Sequence, residues 1–229
     1  MAPEHILRTL VGFMVFVFSI IVHENAHGLT AERYGDRTAR DLGRITMNPL
    51  PHIDPIGSII LPLMAFVSSI PFIGWAKPVP VNSANLKNPV VHNAYVAAAG
   101  PISNFLLALA ATVLYIVVLL VYKHVPFLAA GGGANSLLFF RTLCQSMIQI
   151  NCVLGIFNLI PVPPLDGHWI LFRYLPSRYA AMLAAMRPYG FFILIALLWT
   201  GVIRIIIWLP WQVMTGFLFS MVKLAVGAL

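Results

Sequence analysis

The sequence predicts an all-α polytopic membrane protein with about four to six transmembrane helices plus a re-entrant or hairpin membrane segment. Composition is the first ground: of 229 residues, 60% are hydrophobic and only 9% charged, where a soluble domain carries about 25% charged residues. Arrangement is the second, because the apolar residues fall into runs as long as the bilayer is thick. The third is that the basic residues gather in short loops, which in membrane proteins stay in the cytoplasm. The net charge of +7 therefore reads as topology information, and no nucleic-acid partner is expected. No stretch is left for a large soluble domain, so residues 1–229 are expected to form a single membrane-embedded domain.

The first span runs from about Ile6 to Leu29. It lacks a small-residue cleavage site, so it reads as a retained span and not as a cleaved signal. Near its end stands His23-Glu24-Asn25-Ala26-His27. Residues four apart lie one helical turn above each other, so His23 and His27 can offer imidazole nitrogens to one ion while Glu24 reaches a bound water. A lone histidine, such as His5 or His92, is satisfied by an ordinary core hydrogen bond. Two imidazoles and a carboxylate in one apolar helix need compensation, and a divalent cation supplies it. At 1.5 Å per residue His23 lies roughly 24 Å along the helix, inside the membrane near its far face. Arg33, Arg37, Arg40 and Arg44 follow, which makes that face cytoplasmic. Ala31 to Met47 reads as a solvated interfacial segment, with Glu32, Asp36 and Asp41 interspersed among the arginines.

Ser58 to Ile73 is apolar, interrupted by Pro62 and Pro71, and of borderline length for a span. It is read as re-entrant, because only a stretch that turns back lets a second candidate ligand, Asp166, end on the same face as the histidines. Asn48 to Gly57 and Gly74 to Asn82 flank it and are read as strand-like; prolines extend the latter, and Trp75 and Lys77 place it at the interface. Val90 to Tyr122 holds the second full span, with Gly100-Pro101 near its start and Ala97, Ala98, Ala108 and Ala111 as a small-residue face for close packing. Asn104 is placed there for an interhelical hydrogen bond.

Gly131 to Gly133 is read as a turn, and the third full span as Leu137 to Ile160. Cys144 and Cys152 lie about 12 Å apart along it, too far for a disulfide, and read as core packing. Pro161, Pro163 and Pro164 stop the helix and carry Asp166 to a turn at Gly167. The loop to Pro188 holds Arg173, Arg178 and Arg187 and is cytoplasmic by the same charge rule. Tyr189 to Leu209 is expected to be a fourth span, and Trp211 to Leu229 either a fifth or an interfacial segment.

Three segments taken together resemble the site-2 protease family of intramembrane zinc metalloproteases, in a compact prokaryotic form without PDZ or CBS domains. They are His23-Glu24-Asn25-Ala26-His27, the N-x-x-P-x-P-x-x-D-G run from Asn158 to Gly167, and Gly100-Pro101-Ile102-Ser103-Asn104. The resemblance implies Zn2+ held by His23, His27 and Asp166, Glu24 as the base that activates water, and Asn158 as an active-site polar residue that steadies the oxyanion. It implies substrates that are membrane proteins cut in or near a transmembrane segment, within the lipid bilayer. It also implies a prokaryotic cytoplasmic membrane, with the active site toward the cytoplasmic side. Three protein ligands and an open fourth position suit a catalytic zinc.

Two other classes are separable. A metal-ion transporter needs polar residues on several spans, whereas Phe105 to Val121 offers almost none. A catalytically inactive relative that only binds membrane proteins is opposed by the retention of Glu24 beside both motifs. His52 and Asp54 stand as alternative third ligands, and the sequence assigns neither a substrate nor an oligomeric state.

Overall fold

The computed structural model describes residues 3–60, 77–125 and 133–227, and among them the secondary structure is helical, without strands. The α-helices are α1 (Pro3–Arg33), α2 (Thr38–Asp41), α3 (Pro89–His124), α4 (Gly133–Asn158), α5 (Gly167–Tyr174), α6 (Ser177–Met186), α7 (Gly190–Trp199) and α8 (Val202–Gly227). Five helical stretches are long and apolar enough to cross a membrane: Glu4–Arg33, Pro89–His124, Asn135–Asn158, Ser177–Trp199 and Val202–Gly227. This is the all-α polytopic membrane architecture that composition and run length imply. Most of the Ser58 to Ile73 stretch, expected to be re-entrant, and most of the Gly131 to Gly133 turn lie outside the described residues.

On α1 the buried positions Val11, Val15, Ser19, His23, His27 and Ala31 recur every fourth residue. That spacing makes one continuous ridge, so the same face that packs apolar side chains low on the helix carries the imidazoles higher up. On α3 the matching face is Ala97, Gly100, Asn104, Ala108, Ala111 and Tyr115, all buried. Small side chains there let the helix axes approach closely, which drives association where lipid offers no hydrophobic contrast. Ala98, expected on that face, is only half-buried.

Helices α3 and α4 pack most extensively against each other, and α1 lies against both. Ala108, Ala111, Tyr115, Cys144, Ile148, Cys152, Leu218 and Val222 form the core shared by α3, α4 and α8. Both cysteines are free and buried, as packing residues should be. At the opposite end of the bundle Ile160, Leu165 and Ile203 cluster and seat the loop after α4 against the start of α8.

Two expected features are corrected. The helix break near the C-terminus falls at Thr200–Gly201, not between Leu209 and Trp211: Gly201 adopts φ 76°, left-handed backbone that a glycine accepts without strain. Val202–Gly227 then runs as one helix through Pro210, a proline of the kind tolerated in membrane helices when neighbours satisfy the freed carbonyl. The stretch from Gly167 to Pro188, expected as a loop, is largely helical in α5 and α6.

Candidate metal centre

The one-turn spacing on α1 sets the His23 and His27 rings edge to face, with centroids 4.6 Å apart and Nε2 atoms 3.0 Å apart. Asp166 reaches them from the loop after α4. It occupies the N-cap position of α5, where an aspartate ordinarily accepts a hydrogen bond from the first-turn amides. Its side chain makes no such cap. The carboxylate turns to the imidazoles instead, with Oδ2 3.1 Å from His23 Nε2 and Oδ1 3.3 Å from His27 Nε2. Among the described residues no other three His, Cys, Asp or Glu side chains converge in this way.

These three groups fit a zinc ion. Tetrahedral bonds of 2.0–2.1 Å place ligand atoms about 3.3 Å from one another, and the observed separations of 3.0, 3.1 and 3.3 Å are close to that. His27 Nδ1 lies 2.6 Å from the Val96 carbonyl oxygen, which can only accept. The Nδ1 atom therefore carries the proton, and a neutral His27 offers a bare Nε2 lone pair. Asp166 Oδ2 is buried with no hydrogen-bond partner, since its approach to His23 lacks hydrogen-bonding geometry.

Gly100 on α3 closes the back of this cluster. A Cβ there would stand 2.5 Å from Nε2 of both histidines, and no side chain fits. Four residues on, Asn104 places Oδ1 2.6 Å from His23 Nδ1. Asp166 is steadied by its own turn, in which His168 Nδ1 donates to the Leu165 carbonyl. Burial there holds the His168 imidazole below its usual range.

Glu24 points to a different neighbour. The Val79 amide donates to its Oε2 at 2.7 Å, and Oε1 has no hydrogen-bond partner among the described residues. Several bonds pin the segment that carries Val79. Arg44 Nη2 donates to the carbonyls of Lys77 and Pro78, at 3.0 and 3.2 Å. The Lys77 amide donates to the His52 carbonyl at 2.9 Å. Asn25, next to Glu24, donates to the Thr46 carbonyl and accepts from the Thr46 amide, which ties the preceding loop to α1.

Asp36 completes the attachment and corrects its expected solvated place. It is fully buried, and accepts from the Asn82 amide, Asn85 Nδ2, and the amide and hydroxyl of Thr38. Burial works to raise its carboxyl, and these donors outweigh it, so the group sits below the usual carboxylate range.

The structure thus brings His23, His27 and Asp166 together, with Glu24 on the same turn of α1. Asn158 gives its amide to the Leu154 carbonyl of its own helix at 3.0 Å. His52 faces the Thr46 carbonyl, and Asp54 accepts from the amides of Ile56 and Gly57 in a local turn. Leu50–His52 is a 3-10 turn and not strand-like.

The sequence model of Peptidase family M50 matches residues 11–139 and 126–200. The chain is 34% identical over 195 residues to the Bacillus subtilis protein named "Putative zinc metalloprotease YwhC", covering 85% of this chain and 83% of that one. It is 28% identical over 186 residues to the Mycolicibacterium smegmatis protein named "Putative zinc metalloprotease Rip2", covering 81% of this chain and 65% of that one. No solved structure matches.

Proposed function

The chain belongs to peptidase family M50, the site-2 protease family, and from that membership we propose that it is an intramembrane zinc metalloendopeptidase. Its substrates are other membrane proteins, hydrolysed in or near a transmembrane segment. One observation carries this reading: two histidines on a helix long and apolar enough to span the bilayer meet Asp166 in a triangle of metal-ligand dimensions. Residues 1–229 act in it as one membrane-embedded catalytic domain.

In this reading His23, His27 and Asp166 hold Zn2+ and Glu24 is the base. The zinc supplies Lewis acidity toward the scissile carbonyl and makes water easier to deprotonate. Glu24 takes the proton of the attacking water on Oε1, while the Val79 amide holds Oε2 and fixes the carboxylate plane. The same carboxyl then passes the proton to the leaving amine, so one residue serves both halves of the reaction. Asn158 is close in sequence to the centre, and with one amide hydrogen given to the Leu154 carbonyl its second is the one left to meet an oxyanion.

Charge distribution supports a cytoplasmic-facing centre, and the bacterial relatives support a prokaryotic cytoplasmic membrane. Arg33 ends α1 at the end that carries the histidines, Arg37, Arg40 and Arg44 follow it, and Arg173 follows Asp166 on α5. A transporter reading finds no polar route along α1, because below Ser19 the buried ridge continues as Val15 and Val11.

The test compares the membrane proteome of cells holding the intact protein with that of cells holding Glu24→Gln. Single-span fragments should appear with the intact protein, and their uncut precursors should accumulate with the variant. Identical proteomes, with both proteins expressed and zinc-loaded, would remove the protease reading.

A further inference from the structure

We infer that Asn104 and Asn151 are positioning residues that fix the tautomer of His23 and so aim its Nε2 lone pair at the metal. This rests on the reading of His23 as a zinc ligand and gives Asn104 and Asn151 a role in it.

The argument starts at a backbone atom. Asn151 on α4 lies with one end of its amide 2.9 Å from the Met147 carbonyl oxygen. A backbone oxygen has only lone pairs, so the end that faces it must be the nitrogen Nδ2. That nitrogen also donates to Ser19 Oγ on α1 at 2.9 Å. Oδ1 of Asn151 must then face the other way, toward Asn104 on α3, at 2.9 Å. An acceptor there requires Asn104 to present its Nδ2.

The Asn104 orientation is thereby settled, and its Oδ1 is the atom 2.6 Å from His23 Nδ1. Facing an acceptor, Nδ1 must hold the proton. In a neutral imidazole the lone pair is then on Nε2. His27 reaches the same state in one step through the Val96 carbonyl. Two bare lone pairs 3.0 Å apart, with a carboxylate beside them, repel unless a cation lies between.

The polarity of the whole chain, Met147 to Asn151 to Asn104 to His23, is therefore written by the helical carbonyl at its start. Its side chains sit on three spans and are all buried, with Ser19, Asn104 and Asn151 at 0% exposure. Burial shields these amides from bulk water, which would otherwise compete to reorient them. Outer partners of this kind are worth about 10- to 100-fold in metal affinity. Asn104 acts on His23 directly, whereas Asn151 acts only through Asn104.

The test measures zinc affinity of the full chain in detergent by chelator competition, with size-exclusion and thermal unfolding as folding checks. Asn104→Leu and Asn104→Ser should each weaken zinc binding by about 10- to 100-fold. The serine hydroxyl keeps the site polar but is too short to reach Nδ1. Asn151→Leu should weaken binding by less, and the double variant Asn104→Leu/Asn151→Leu should be no weaker than Asn104→Leu alone. Ser19→Ala should stay within about twofold of wild type, since the Met147 carbonyl still orients Asn151. Nitrogen-15 spectra of the histidine side chains should show His23 protonated at Nδ1 in the intact protein, with the other tautomer appearing in Asn151→Leu. Wild-type zinc binding left within twofold by both Asn104 variants, or fully additive Asn104 and Asn151 losses, would overturn the inference alone. A wild-type chain that binds no zinc would overturn the metal reading with it.

Discussion

The Val79 amide and the Glu24 carboxylate are hydrogen-bonded at 2.7 Å, although they are separated by 55 positions in the chain. The contact joins a peptide segment flanked by prolines to the side chain assigned as base. Replacing Val79 by proline removes the donor and leaves Oε2 unsupported. Val79→Pro should slow cleavage by on the order of 10- to 100-fold, the equivalent of one charge-assisted hydrogen bond. Zinc content should be unchanged, because no ligand is touched. Val79→Ala, which keeps the amide, should cleave much faster than Val79→Pro. Equal rates in the two variants would show that the bond has no part in catalysis.

Gly100 provides a second test because a single added carbon meets both imidazoles. Gly100→Ala should lower zinc content sharply, as should alanine at His23, His27 or Asp166, while Glu24→Gln keeps the metal and abolishes cleavage. Metal analysis of the purified variants separates the two classes. Full zinc occupancy in Asp166→Ala would mean that the third ligand is another residue.

Topology is open to cysteine labelling, since the native Cys144 and Cys152 are buried and give little background. Leu42→Cys and Ala84→Cys, both at exposed positions, should label from the cytoplasm, and His124→Cys from the opposite side. Label reaching position 84 only from outside would place the Val79 segment on the wrong face for the proposed orientation.

Asp36 predicts a pH dependence. Its folded carboxyl is held below the unfolded value of about 3.9, so the stabilisation is full above that value and is lost as pH falls through the folded one. Asp36→Asn should lower the unfolding free energy near neutral pH by on the order of 1–3 kcal/mol from weakened charge-assisted bonds. The difference from wild type should shrink as pH falls below about 4. A difference that stays constant down to acid pH would mean that the charge on Asp36 contributes nothing.

How much of this was legible depended on range. The His23 and His27 pair is a local fact of helical geometry, readable from a spacing of four. Asp166 could be joined to it only through topology and resemblance, and the structure brings the three together. Asn104 was legible as an interhelical partner, and it does bond Asn151. Its second bond, to His23, was not, because nothing local says which ring a buried amide faces across two helices. Asp36 was misread for a similar reason: it sits among arginines in sequence, yet its donors come from positions 38, 82 and 85. The break at Gly201 lost out to Pro210, because proline is the stronger breaker in water and a weaker one inside a helical bundle.

The ligand triangle is divided along the chain, with two corners on the first span and the third beyond the end of α4. Translation order then becomes a safeguard. The imidazoles enter the bilayer while the carboxylate has yet to be synthesised, and α3 and α4 must be inserted and packed before the corners can meet. Hydrolytic competence is among the last properties the growing chain acquires. An unfinished or mispacked copy lacks the third corner of the site.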